Sequence, residues 1–90
     1  MRQPAYSGQF KRDVKLARKR GKDMKKLEEP MRRLIEGLSL PQRYLDHPLK
    51  GDLKGFRDLH IEPDWLLIYC MTDTTVRFER TGSHADLFDA

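Results

Sequence analysis

A chain of 90 residues suits one domain, here 1–90, and leaves little room for a generous core. Hydrophobic residues at 38% and charged residues at 36% describe a compact protein with a heavily solvated surface, and the longest apolar run, Trp65 to Met71, is far too short to span a bilayer. The net charge of +4 is unevenly spread, because residues 1–54 carry 15 Lys and Arg against 7 acids and residues 55–90 carry 3 against 7. That asymmetry predicts a basic face for a polyanion.

Residues 2–6 are short and read as an edge strand. Ser7 is placed to cap a helix over about residues 8–20, with Phe10, Val14 and Ala17 at i, i+4, i+7 and Gly21 as its stop. Asp23 caps a second helix, in which Met24, Leu27, Met31, Leu34, Ile35 and Leu38 form one apolar stripe. Pro30 lies inside that helix and is expected to kink it or split it in two. Residues 39–54, punctuated by Pro41, Pro48 and Gly51, read as a loop. Three strands follow. In Phe56 to Glu62, Leu59 and Ile61 face one way and Asp58 and His60 the other. After the turn Glu62-Pro63-Asp64 comes a central strand buried on both faces, Trp65 to Met71. A last strand runs from Val76 to Arg80. The order β-α-α-β-β-β predicts an α+β fold, an antiparallel sheet with helices packed on one face.

The lone Cys70 cannot form an internal disulfide, and its apolar neighbours point to a buried, inert thiol. The first residues lack the apolar core of a signal peptide, so the expected location is cytoplasmic and no membrane partner is expected. The three histidines, His47, His60 and His84, sit off every predicted core stripe. Imidazole titrates near neutrality, with an unperturbed pKa of about 6.5. RNA cleavage needs a base to take the 2′-hydroxyl proton and an acid to protonate the leaving 5′-oxygen, each worth about 10²–10⁴ in rate. Asp58 or Asp64 is placed to orient an imidazole.

Zinc is the rival use of three histidines, yet no His-x-x-x-His pair occurs and the spacing 47, 60, 84 is undiagnostic. No metal or other cofactor is expected. The run Lys11 to Lys26 holds nine Lys or Arg and two Asp, and serves equally as a solvated helix face or a phosphate-binding surface. Arg57 and Arg80 each lie on a strand near a histidine, where they suit either transition-state charge or a surface ion pair. Trp65 and Phe88 suit base stacking, against a packing role that is stronger for Trp65 because it begins a buried strand.

Together, Tyr6-Ser7-Gly8-Gln9-Phe10, Asp13 to Ala17, Asp46-His47-Pro48-Leu49, Gly55-Phe56-Arg57-Asp58, His60, Glu62-Pro63-Asp64-Trp65, Leu67-Ile68-Tyr69 and Arg77 to Phe88 resemble the YafQ-type toxins of the RelE/ParE superfamily. The resemblance covers about residues 6–88. It implies a compact α+β fold with a twisted antiparallel sheet. It also implies a metal-independent endoribonuclease that cuts mRNA in the A site of translating ribosomes. The implied partners are a DinJ-type antitoxin and, only through the antitoxin complex, operator DNA. The family's functional positions fall on His47, Asp58, His60, Asp64, Trp65, His84 and Phe88, with His84 as the expected acid and His47 or His60 as base supported by Asp64. Arg80 is expected to serve transition-state charge and Phe88 nucleotide placement. Two other readings use the same features, a ParE-like toxin that binds gyrase and a non-catalytic RNA-binding module. The first has no need for three proton-transfer groups, and the second predicts salt-sensitive RNA affinity without cut products.

Overall fold

The computed structural model describes residues 1–88. Ser7 makes the corner between β1 (Gln3–Tyr6) and α1 (Gly8–Lys19). Its Oγ accepts from Phe10 N at 2.8 Å, as a helix cap should, and donates to Glu79 O at 2.6 Å. Gly21, at φ +79°, turns the chain out of α1 in the left-handed conformation that glycine adopts without a Cβ clash. Asp23 caps α2 (Met24–Glu36) through Lys25 N at 3.1 Å.

Of the two outcomes expected at Pro30, a kink or a split, the split does not occur. α2 runs through it as one element. The ring forfeits the bond to the carbonyl four residues back, but Pro30 is buried with Leu27 and Leu34 on the core stripe, and that burial offsets the loss.

The loop over 39–54 contains two 3₁₀ turns (Gln42–Tyr44 and Gly51–Leu53) and a two-residue strand, β2 (His47–Pro48). Then come β3 (Arg57–Glu62), β4 (Trp65–Met71) and β5 (Thr75–Gly82). The five strands form one sheet in the order β1-β5-β4-β3-β2. All neighbours are antiparallel except β1, which runs parallel to β5 from Gln3↔Thr75 to Tyr6↔Phe78. The sheet is therefore mixed within the expected α+β class. A parallel neighbour requires a long crossover, and α1 and α2 supply it before the β-meander begins.

The two long helices cover one face of the sheet. Phe10 and Ala17 of α1 and Leu27 and Leu34 of α2 join Leu59, Trp65, Leu67, Tyr69, Val76 and Phe78 in one buried cluster. Alternation sends Asp58, His60, Leu66 and Ile68 to the opposite face. Leu66 and Ile68 are also fully buried, so β4 is covered on both sides, as its unbroken apolar run predicts.

A short helix absent from the sequence reading, α3 (His84–Phe88), follows β5. Five residues do not hold a helix unaided. Here a reciprocal cap holds it, with Asp86 N donating to Ser83 Oγ at 3.1 Å and Ser83 N donating to Asp86 Oδ2 at 3.0 Å. Arg20 Nη1 donates to the same Oδ2 at 2.6 Å and ties α3 to the end of α1. α3 folds so tightly over Gly82 that a Cβ there would stand 3.0 Å from the Asp86 Cβ.

Candidate active site

Three chain segments deliver one histidine each to the sheet face opposite the long helices. Pairing of β2 with β3 sets His47 across from Asp58, and its Nε2 lies 2.8 Å from Asp58 Oδ1. That oxygen accepts no directed hydrogen bond among the described residues, so the contact is one of charge and distance. His60 follows on the same face of β3, beside a register shift between His60 and Glu62. His84 opens α3. Its backbone N donates to Asp64 Oδ1 at 2.8 Å, and its Nδ1 lies 2.6 Å from the same oxygen.

The rings stand in a row. Centroids are 6.3 Å apart for His47 and His60, 5.8 Å for His60 and His84, and 6.3 Å for His84 and Phe88. The two carboxylates differ in environment. Asp58 is 4% exposed, and burial raises its pKa while the fields of His47 and His60 oppose that rise. Asp64 is largely exposed, and the backbone N–H of His84, then its ring, hold that carboxyl below the usual range. With Nδ1 engaged by Asp64, Nε2 is the ring nitrogen of His84 that has no partner among the described residues. His60 Nδ1 is buried without a partner among the described residues, so no protein group fixes its tautomer. The row thus offers several proton-transfer groups on one face of the sheet, two of them beside carboxylates. Among the described residues, no three His, Cys, Asp or Glu side chains converge closely enough to hold a metal ion.

A family model described as a bacterial toxin of the type II toxin–antitoxin system, YafQ, matches residues 2–89. The chain belongs to the YafQ family. It is 62% identical over 84 residues to the mRNA interferase toxin YafQ of Escherichia coli strain K12, covering 92% of this chain and 91% of that protein. It superposes on YafQ in the E. coli DinJ–YafQ toxin–antitoxin complex with a TM-score of 0.91 at 60% identity, covering 97% of each chain. A metal-bound toxin from Helicobacter pylori is similar at 40% identity and a TM-score of 0.90, covering 98% of this chain and 100% of that one.

Of the positions the YafQ resemblance marks, His47, Asp58, His60, Asp64, His84 and Phe88 come together. Trp65 does not offer a ring face to a base. It is 1% exposed, and its Nε1 donates to Thr81 Oγ1 at 3.0 Å, so packing claims it. Arg57 faces away from the histidines by strand alternation. Its guanidinium pairs with Asp46 at 2.9 Å, and Asp46 also accepts from the Tyr69 hydroxyl. Arg80 is engaged by Asp13, at 2.8 Å through Nε and 3.3 Å through Nη2, which leaves Nη1 without a partner among the described residues. Arg80 lines a cavity of about 360 Å³ together with Asp64, the carboxylate that grips His84. Cys70 is half-buried, and burial raises its thiol, which makes it a poor nucleophile. In the basic run, Arg20 is committed to Asp86, and Lys22 and Lys26 to Glu62.

Sequence reasoning assigned no supporting role to four residues that the fold shows to have one. Ser83 and Asp86 spell a Ser-x-x-Asp cap, a signal present in the sequence. Asp13 and Asp46 carry no such signal, because each finds its arginine only through the fold.

Proposed function

We propose that this chain is the toxin of a type II toxin–antitoxin pair and acts as an mRNA endoribonuclease by histidine acid–base catalysis. The observation that carries this reading is the row His47–His60–His84, at spacings of 5.8–6.3 Å, with Asp58 and Asp64 attached to its two ends. The name of the E. coli relative, mRNA interferase toxin YafQ, agrees with it.

His84 is the acid that protonates the leaving 5′-oxygen through Nε2. Asp64 keeps the ring in place, since it binds both Nδ1 and the backbone N–H of the same residue. His47 or His60 is the base that takes the 2′-hydroxyl proton. The 2′-oxygen then bonds to phosphorus as the P–O5′ bond breaks, which leaves a 2′,3′-cyclic phosphate and a 5′-hydroxyl end. Asp58 stabilises the base once it is charged. Arg80 donates from Nη1 to a phosphoryl oxygen as negative charge builds, and Phe88 packs on the nucleotide beside His84. No step calls on a metal ion. The substrate is mRNA in the ribosomal A site, in the cytoplasm. A DinJ-type antitoxin neutralises the enzyme, as in the complex of the E. coli relative, and brings it to operator DNA.

The test is single-turnover cleavage of mRNA across pH, with and without 70S ribosomes and with and without a zinc-selective chelator that leaves the ribosome's Mg²⁺ in place. The wild type should cut only with ribosomes and equally well with the chelator, and His84→Ala should lose the limb of the profile that the acid controls. An unchanged profile in His84→Ala would exclude that assignment, and loss of cleavage with the chelator would exclude a mechanism free of a bound transition metal.

A further inference from the structure

On the His60 side, the catalytic row opens into a groove that the chemistry above leaves unused. Arg43, Leu45, His60 and Ile61 line a cavity of about 370 Å³, together with Glu62 and Pro63. Arg43 and Ile61 also line a second cavity of about 440 Å³, which continues to Lys25 and Lys26 of α2. We propose that these two cavities form one track for the RNA strand, in which Arg43, with Lys25 beyond it, binds a backbone phosphate flanking the scissile one. The proposal rests on the nuclease reading and adds a substrate-binding site to it.

Arg43 belongs to the 3₁₀ turn Gln42–Tyr44. Its guanidinium lies 4.7 Å over the Tyr44 ring and donates to the Tyr44 hydroxyl at 3.3 Å. Stacking on a buried ring fixes the plane of the fork at little entropic cost and leaves its other N–H groups outward, the arrangement that suits two oxygens of one phosphate. The other arginines near the sheet are engaged differently. Arg20, Arg57, Arg77 and Arg80 each grip a carboxylate, whereas Arg43 grips none among the described residues. The one acid on the His60 side of the track, Glu62, is already neutralised by Lys22 at 3.3 Å and Lys26 at 3.1 Å. The groove therefore presents a planar cation in the same cavity as the His60 imidazole, and farther along Lys25, whose ammonium has no partner among the described residues.

The experiment uses His84→Ala chains, so that RNA is bound without being cut, and short single-stranded RNA followed by fluorescence anisotropy at several salt concentrations. Arg43→Gln should weaken binding by about tenfold and lower the slope of log K against log salt by about 0.7, the loss of one single-strand phosphate contact. Arg43→Lys should keep most of the slope, and Arg77→Gln, on the far strand, should match the parent. Replacing single phosphates by neutral methylphosphonates should reveal one flanking position whose loss is felt by the parent and not by Arg43→Gln. Unchanged affinity in Arg43→Gln, a loss that is the same at every phosphate, or no measurable RNA binding would each overturn the proposal. Failure of the intact protein to cut RNA would instead overturn the nuclease reading, and the binding comparison would stand apart from it.

Discussion

Replacing Asp13 with alanine removes the acceptor of four hydrogen bonds at once. Asp13 is 7% exposed on α1, where that helix covers the edge of β5 beyond the end of β1. It accepts from Thr81 N at 3.1 Å, Gln9 Nε2 at 3.1 Å, and Arg80 through both Nε and Nη2. In Asp13→Ala the buried Thr81 N–H loses that acceptor, which costs about 1–3 kcal/mol. Arg80 loses an ion pair, but its side chain keeps 31% exposure, so water replaces much of it and about 1 kcal/mol remains. The sum is about 2–4 kcal/mol, which at about 4–8 °C per kcal/mol lowers the melting temperature by roughly 8–32 °C. Asp13→Asn keeps one carbonyl oxygen for Thr81 N and Arg80 Nε, and loses the charge and the second oxygen, which accepts from Gln9 Nε2 and Arg80 Nη2. Both donors reach water, so the cost should be smaller than for alanine, about 1 kcal/mol, or about 4–8 °C. Thermal denaturation of both variants, with single-turnover cleavage at 25 °C, measures the two effects. The Asn variant should stay folded and cut RNA roughly tenfold more slowly, because Arg80 is no longer braced. Equal destabilisation by Ala and Asn would refute the reasoning, since it would mean that the Thr81 N–H contributes nothing.

Trp65→Phe should lose about 1–3 kcal/mol in urea denaturation, from the missing bond to Thr81 and the smaller ring, with the cleavage rate retained. A slower rate at unchanged stability would return that ring to the substrate. Asp58→Asn should raise stability at pH 7. Burial lifts this carboxyl above its usual 3.8, so the folded chain holds the proton more tightly and stability falls as pH rises through that window. Melting curves should coincide below pH 3.8 and separate above it in favour of the variant, while cleavage falls, and a less stable variant at pH 7 would show the sign to be wrong. Asp86 behaves in the opposite sense. Arg20 and the Ser83 N–H hold it down to about 2, so its contribution is full above its usual 3.8 and is lost as pH falls toward 2. The melting-temperature gap between wild type and Asp86→Asn should therefore close across that interval, and a gap that persists at pH 2 would contradict this.

Much of the fold was legible because its signals are local. Ser7, Gly21 and Asp23 act on backbone groups within a few residues of themselves, and the helix bounds follow from them. The site was legible to the extent that it is built from histidines, which stood out as polar groups away from every core stripe. Trp65, Arg57 and Arg80 show where such reading stops. An aromatic or a cation near a motif looks alike whether it meets substrate or protein, and its partners Thr81, Asp46 and Asp13 lie 16, 11 and 67 residues away.

Periodicity and capping chemistry by themselves determined the α+β class, the order of the major elements and the identity of the imidazoles, because each depends on interactions spanning a turn or a strand pair. Tertiary structure alone decided that β1 runs parallel to β5, that Pro30 stays inside a continuous helix and that three distant histidines stand about 6 Å apart. It also decided which cations are spent on carboxylates and which, like Arg43, meet none among the described residues. Those outcomes depend on which surfaces are buried against one another, and burial is a property of the whole packed chain, not of any window along it.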